Sequence, residues 1–141
     1  MLTAGVYRVV ITPPIGIGMV GFAGRGPSER VHDDLTATAL AVSDGERGLL
    51  LVALDLLYLP AGVVARIRKA VAARTGLAPD AVHLLCSHTH YGPEVGSDSD
   101  APSEEVAGYR DDLTRKIAGA AAAAWAGRQE ARFSHAAGES R

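Results

Sequence analysis

Hydrophobic and polar positions follow two periods along this chain, and the switches between them mark its elements. Val6-Tyr7-Arg8-Val9-Val10-Ile11 predicts a strand over residues 5–12, closed by Thr12-Pro13-Pro14. Two successive prolines cannot donate to a ladder, so the chain turns there. Residues 35–43 read as a second strand, Asp44-Gly45 as a hairpin-type turn and residues 48–55 as a third strand, pairing antiparallel with the second. The third is continuously apolar from Leu49 to Leu54, which predicts a strand covered on both faces. Pro60 suits the first turn of a helix. Val64, Ile67 and Val71 then recur at helical spacing, flanked by Val63 and Ala70, with the helix ending near Gly76. Pro79-Asp80 precedes a fourth strand, Ala81 to Ser87. Strand, helix and strand at this spacing make a βαβ crossover, so the third and fourth strands are expected parallel. A long helix is predicted from Ser103, with Val106, Tyr109, Leu113, Ile117, Ala120 and Ala124 on one stripe, ending at Trp125 and Gly127. Glu130 to Ala136 predicts a last strand. The fold class is therefore α/β: one domain over residues 1–141, a mixed sheet with a βαβ crossover, and at least two covering helices.

Composition narrows the functional classes. Of 141 residues, 48% are apolar and 21% charged, enough to bury a core. The formal charge of −2 argues against nucleic acid, whose phosphates require a basic surface. A lone cysteine, Cys86, rules out an internal disulfide framework. No apolar run approaches the roughly 18 residues of a membrane helix. The first residues lack the basic start and apolar stretch of a secretory signal, so the expected compartment is the cytoplasm if Met1 is the start. Residues 15–31 hold Gly16, Gly18, Gly21, Gly24, Gly26 and Pro27 and read as a long loop. Such loops are often functional, but this composition favours a flexible cover.

The densest chemistry is Ser87-His88-Thr89-His90-Tyr91-Gly92-Pro93, where the fourth strand ends. Residues i and i+2 of an extended chain face one side, so His88 and His90 converge at the carboxyl edge of a parallel pair. That edge is where α/β folds place ligands. Two imidazoles there suit zinc; the other reading is a pair of hydrogen-bonded loop histidines. A catalytic zinc needs three protein ligands and an open position, so two are too few. Asp55 ends the third strand on the same edge. It either orients a ligating imidazole, caps a helix or bonds a loop amide. His32-Asp33-Asp34 offers ligands or a turn. His83 and His135 read as strand residues, Cys86 as a buried inert thiol. Glu94, Asp98, Asp100, Glu104 and Glu105 form an acidic loop, read as a solvated face and the start of a helix.

Four segments together resemble a known family. Ala4-Gly5 with Ile11-Thr12-Pro13-Pro14-Ile15-Gly16 and Met19-Val20-Gly21-Phe22-Ala23 is similar to the opening of the neutral/alkaline non-lysosomal ceramidases. His32-Asp33-Asp34-Leu35 with Ala37 and Ala39 resembles the next block. Leu54-Asp55 looks like the family's apolar strand ending in aspartate. Ser87-His88-Thr89-His90-Tyr91-Gly92-Pro93 resembles its Thr-His-Thr-His-Ser-Gly-Pro signature, with Tyr91 in place of serine and Ser87 in place of threonine. The resemblance implies a zinc-dependent amidase that splits the N-acyl bond of ceramide into sphingosine and a fatty acid. It implies His88 as a metal ligand and His90 as the catalytic histidine facing substrate. It makes Asp55 a candidate support for the ligand, and Thr89, Tyr91 and Gly92 candidates for the substrate loop. The family's further ligands, a histidine, a glutamate and a tyrosine, lie beyond the matched part. The chain is thus expected to be the N-terminal segment of a larger catalytic domain, cut near Arg141 and inactive alone. Its partners would be an N-acyl amide or lipid-like small molecule, and either the missing C-terminal part or a second copy. The alternatives are another His-x-His metal hydrolase of amidohydrolase type, or a non-catalytic domain that kept the fold.

Overall fold

In a computed structural model, residues 1–98 and 101–139 are described. Strand β1 spans Thr3–Val10, β2 Thr36–Ser43, β3 Gly48–Leu54, β4 Val82–Cys86 and β5 Gln129–Glu130; helix α1 spans Ala61–Thr75 and α2 Glu104–Ala126. The sheet order is β4-β3-β2-β1-β5. β3 and β4 are parallel and every other pair is antiparallel, which is the predicted βαβ unit beside a predicted hairpin. Asp44 builds that hairpin turn: its Oδ1 accepts from the amides of Glu46 and Arg47. These bonds favour the ionised carboxylate and hold its pKa below the usual value.

The helices begin and stop where local chemistry dictates. Gly76 takes the left-handed conformation at the end of α1, with φ 75°. Ser103 caps α2, its hydroxyl accepting from Val106 N at 3.3 Å. No residue in the first turn of α1 is acidic. Its cap comes instead from the loop after β4: Asp98 accepts from Ala61 N at 2.6 Å and Gly62 N at 2.9 Å. Of the predicted acidic face, Asp98 is thus a cap, Glu104 and Glu105 open α2, and Asp100 lies outside the described residues.

Both helices pack on the face of the sheet that carries Leu50, Val52 and Leu54, and the predicted stripe of α2 is buried along its length. The continuous apolarity of β3 does not mean two covered faces here. Leu50, Val52 and Leu54 are buried while Leu49 and Leu51 are half-buried and Ala53 is exposed. The same uncovered face shows Val6 and Leu85. One other expectation is corrected. The last strand is only Gln129–Glu130, and residues 131–139 add no ladder, so His135 is not a strand residue. The polar segment lacks a partner strand on which alternation would bury a face.

Tyr109 ties α2 to the end of β1. Its hydroxyl donates to Ile11 O at 2.8 Å, and only 4% of the residue is exposed. Burial first, and the nearby Asp112 charge second, push the phenol's pKa far above its ordinary value. The folded state therefore favours the protonated phenol. Its contribution is complete below the unfolded pKa of about 10 and is lost as pH rises above it. Tyr109→Phe is expected to cost about 1–3 kcal/mol at neutral pH, by orphaning a buried carbonyl. It should also flatten the fall in stability above about pH 10. Urea unfolding at both pH values checks both.

Candidate functional site

The site stands at the carboxyl edge of β3 and β4. The parallel pairing runs on briefly past the strands: Ser87 N donates to Leu54 O at 2.9 Å and His88 N to Leu56 O at 3.0 Å. His88 then leaves extended geometry. Its φ is 61°, the only positive φ at a non-glycine among the described residues. A left-handed histidine costs on the order of 1–2 kcal/mol, and such strain concentrates at functional sites. The simple i, i+2 argument for His88 and His90 is therefore replaced by a kink. The kink still brings the rings together, with centroids 5.2 Å apart at 69°.

The His88 tautomer follows from its partner. Nδ1 lies 3.0 Å from the Leu57 carbonyl oxygen. A carbonyl only accepts, so Nδ1 carries a proton, and in the neutral ring Nε2 keeps its lone pair. Main-chain support of this kind is common behind metal-bound histidines. Asp55 serves elsewhere at the same edge. Its Oδ2 accepts from Thr36 N at 2.9 Å and Thr36 Oγ1 at 2.8 Å, while its own amide donates to Thr36 O. The carboxylate pins the ends of β2 and β3, from which the Leu57 carbonyl is presented. Cys86 is half-buried and burial raises its thiol pKa, which suits an inert thiol.

The glycine-rich segment is not a loose cover. Val20 N donates to Gly92 O at 3.2 Å, Glu94 N donates to Gly18 O at 2.7 Å, and Met19 bridges Pro93 antiparallel. Between this segment and residues 89–93 lies a cleft of about 830 Å3, lined in part by Thr12, Arg25, His32, Thr89 and Tyr91. Thr89 and Tyr91 line it; Gly92 is buried against residues 55 and 56, and the two imidazoles do not line it. His32 Nδ1 lies 2.6 Å from Asp33 Oδ2, both side chains exposed, and Asp34 accepts from Thr12 Oγ1 at 2.8 Å. His83 is exposed on edge strand β4.

The donor chemistry fits one corner of a zinc site. Nε2 of His88 is the right atom in the right tautomer. Among the described residues, however, no three His, Cys, Asp or Glu side chains cluster to hold an ion. Further ligands would have to come from elsewhere. Arg25 and Thr36 escape notice in the sequence reading, which takes Asp98 for part of a solvated face and Phe22 only for part of the family-like opening. Arg25 and Phe22 had a signal: a flexible cover has no need of a guanidinium and an aromatic ring among its glycines.

Fold and site together describe an α/β domain with a histidine pair at the sheet edge where such folds place ligands. No family model matches the sequence, and no curated protein matches it either. Solved structures do match the fold. Neutral ceramidase from Pseudomonas aeruginosa superposes with a TM-score of 0.77 at 21% identity, over 91% of this chain and 22% of that one. A ceramidase complexed with C2 superposes with a TM-score of 0.69 at 22% identity, over the same shares. The chain thus has the fold of part of a neutral ceramidase and spans about a fifth of that enzyme's length. Among the described residues, no helix is long and apolar enough to cross a membrane.

Proposed function

We propose that this chain forms the N-terminal part of the catalytic domain of a ceramidase-like, zinc-dependent amide hydrolase. The observation that carries the reading is His88: a strained backbone and a main-chain carbonyl aim one imidazole lone pair from the edge where α/β folds bind ligands. Likeness to two ceramidase structures supports it. When bound, zinc supplies Lewis-acid polarisation of the amide carbonyl and lowers the pKa of a bound water toward about 7. His88 holds one coordination position. His90 faces the substrate beside it, and Thr89 and Tyr91 line the approach with Gly92 fixing the turn. Asp55 keeps the supporting carbonyl in place through Thr36.

The remaining ligands come, in this reading, from the rest of a longer polypeptide, whose next layer covers the open sheet face around Val6 and Leu85. The chain alone should therefore bind zinc weakly and hydrolyse N-acyl amides negligibly. Zinc per chain after dialysis, with fatty-acid release from a short-chain N-acylsphingosine, tests this. Expected are well under one zinc per chain and no release. Near one zinc per chain with steady release would show a self-sufficient site. A second reading, a non-catalytic domain that keeps the fold, draws on the finding that no three-ligand cluster stands among the described residues. It predicts that added zinc perturbs neither His88 nor His90.

A further inference from the structure

We propose that Arg25 and Phe22 are positioning residues for the histidine pair, so that the segment from Gly21 to Arg25 is a clamp on the site; the role rests on the reading above that His88 and His90 do the chemistry. Three contacts converge on His90. Arg25 Nη1 donates to its carbonyl at 2.7 Å. The Phe22 ring meets its imidazole edge to face, with centroids 5.3 Å apart at 66°. Gly21 lies flat against its Cα and Cβ, where a methyl would come within 2.7 Å of both. The clamp is itself braced. The Arg25 guanidinium stacks 4.8 Å from the Tyr91 centroid and 5.7 Å from that of Phe22, and the two rings meet at 5.9 Å.

The physical consequence runs through the backbone and the rings. His88 is held at its Nδ1, but its neighbour His90 sits four residues past the end of β4 with no strand to fix it. A carbonyl anchored by Arg25 stops the peptide at 90 from turning. A ring wedged by Phe22 limits rotation of the imidazole, which in turn packs on His88. Arg suits the post because a planar guanidinium can stack on an aromatic ring while its N–H groups donate in plane. Gly21, at φ 108°, is the residue that lets the segment approach this closely.

The test uses the 141-residue chain, with Arg25→Ala, Arg25→Lys, Phe22→Leu and Gly21→Ala variants followed by NMR. In the parent chain, His90 ring protons should show ring-current shifts and cross-relaxation with Phe22. Arg25→Ala and Gly21→Ala should lose the cross-relaxation, while core methyls of Leu50 and Val52 stay in place. Phe22→Leu should lose that ring's current shift while the side chain at position 22 keeps cross-relaxation with His90. Zinc chloride titration, read at His88, should weaken about tenfold in Arg25→Ala, the scale seen for groups that support metal ligands, and recover in part in Arg25→Lys. An unchanged His90 environment in Arg25→Ala overturns the clamp. So does a loss of thermal stability with His90 signals and zinc response unmoved. If zinc perturbs neither histidine in the parent chain while Arg25→Ala still displaces His90, the functional reading fails and the positioning role falls with it.

Discussion

The Gly5→Ala chain is expected to be strongly destabilised. Gly5 lies in β1, fully packed beneath α2. A methyl there would overlap the carbonyl oxygen of Ala124 and stand 3.0 Å from Arg128 N and 3.1 Å from Gly127 C. All three neighbours are backbone, so no side chain can rotate away. The helix must lift or the strand must slip, and a slip by one residue turns the whole buried face outward. Overpacking typically costs about 1–3 kcal/mol, and more where the obstacle is rigid. Domains of this size hold only about 5–15 kcal/mol. A fall of several degrees or more in Tm, with weakened near-ultraviolet circular dichroism from Trp125, is the expected result. An unshifted melting curve would show that α2 does not sit on β1 as described. Gly45, in an open turn with nothing within 4 Å, should accept the same substitution with only the modest cost of its positive φ.

On the proposed reading, His88→Ala should abolish any zinc response of the chain. The ring supplies the one lone pair whose tautomer is fixed by the main chain, and His90 alone does not replace it. His90→Ala should keep a measurable response, since that ring is a neighbour rather than the anchored donor. The two variants therefore separate the roles, read by zinc-induced shifts in the histidine signals. His88→Gly adds a second test. It removes the ring and relieves a left-handed backbone worth on the order of 1–2 kcal/mol, against a glycine entropy penalty of about 0.5–1 kcal/mol. Its stability should stay within about 1 kcal/mol of the parent while zinc response disappears. That pattern marks strain held for a ligand. A large loss of stability in His88→Gly would instead mark a structural histidine.

Much of the fold is legible before any coordinate. The apolar stripe from Val106 to Ala124 buries as its spacing demands, and Gly76 and Ser103 stand where helices end and start. Asp44-Gly45 makes the hairpin, and the crossover between β3 and β4 is parallel. The errors have local causes. Residues 130–136 alternate enough to suggest a strand, but a strand exists only where an edge accepts it, and β1 offers pairing only at Thr3 and Ala4. Leu49 to Leu54 is apolar on both faces, yet the helices cover one. Glycine content alone suggested a loose cover over residues 15–31, although two main-chain hydrogen bonds and a bridge lash part of it to the histidine loop.

By itself the sequence determined the periodic elements, the hairpin, the crossover and the pair of histidines at a strand end. These depend on neighbours three or four residues apart, or on turn chemistry read within a dipeptide. Only the tertiary structure decided what surrounds the histidines. The Leu57 carbonyl behind His88, the kink that brings the two rings together, Asp55 on Thr36 and Arg25 on the His90 carbonyl join residues up to 65 positions apart. No local period encodes such pairs. They arise when helix packing and strand pairing bring distant loops to one edge, where each buried or strained group must find its partner.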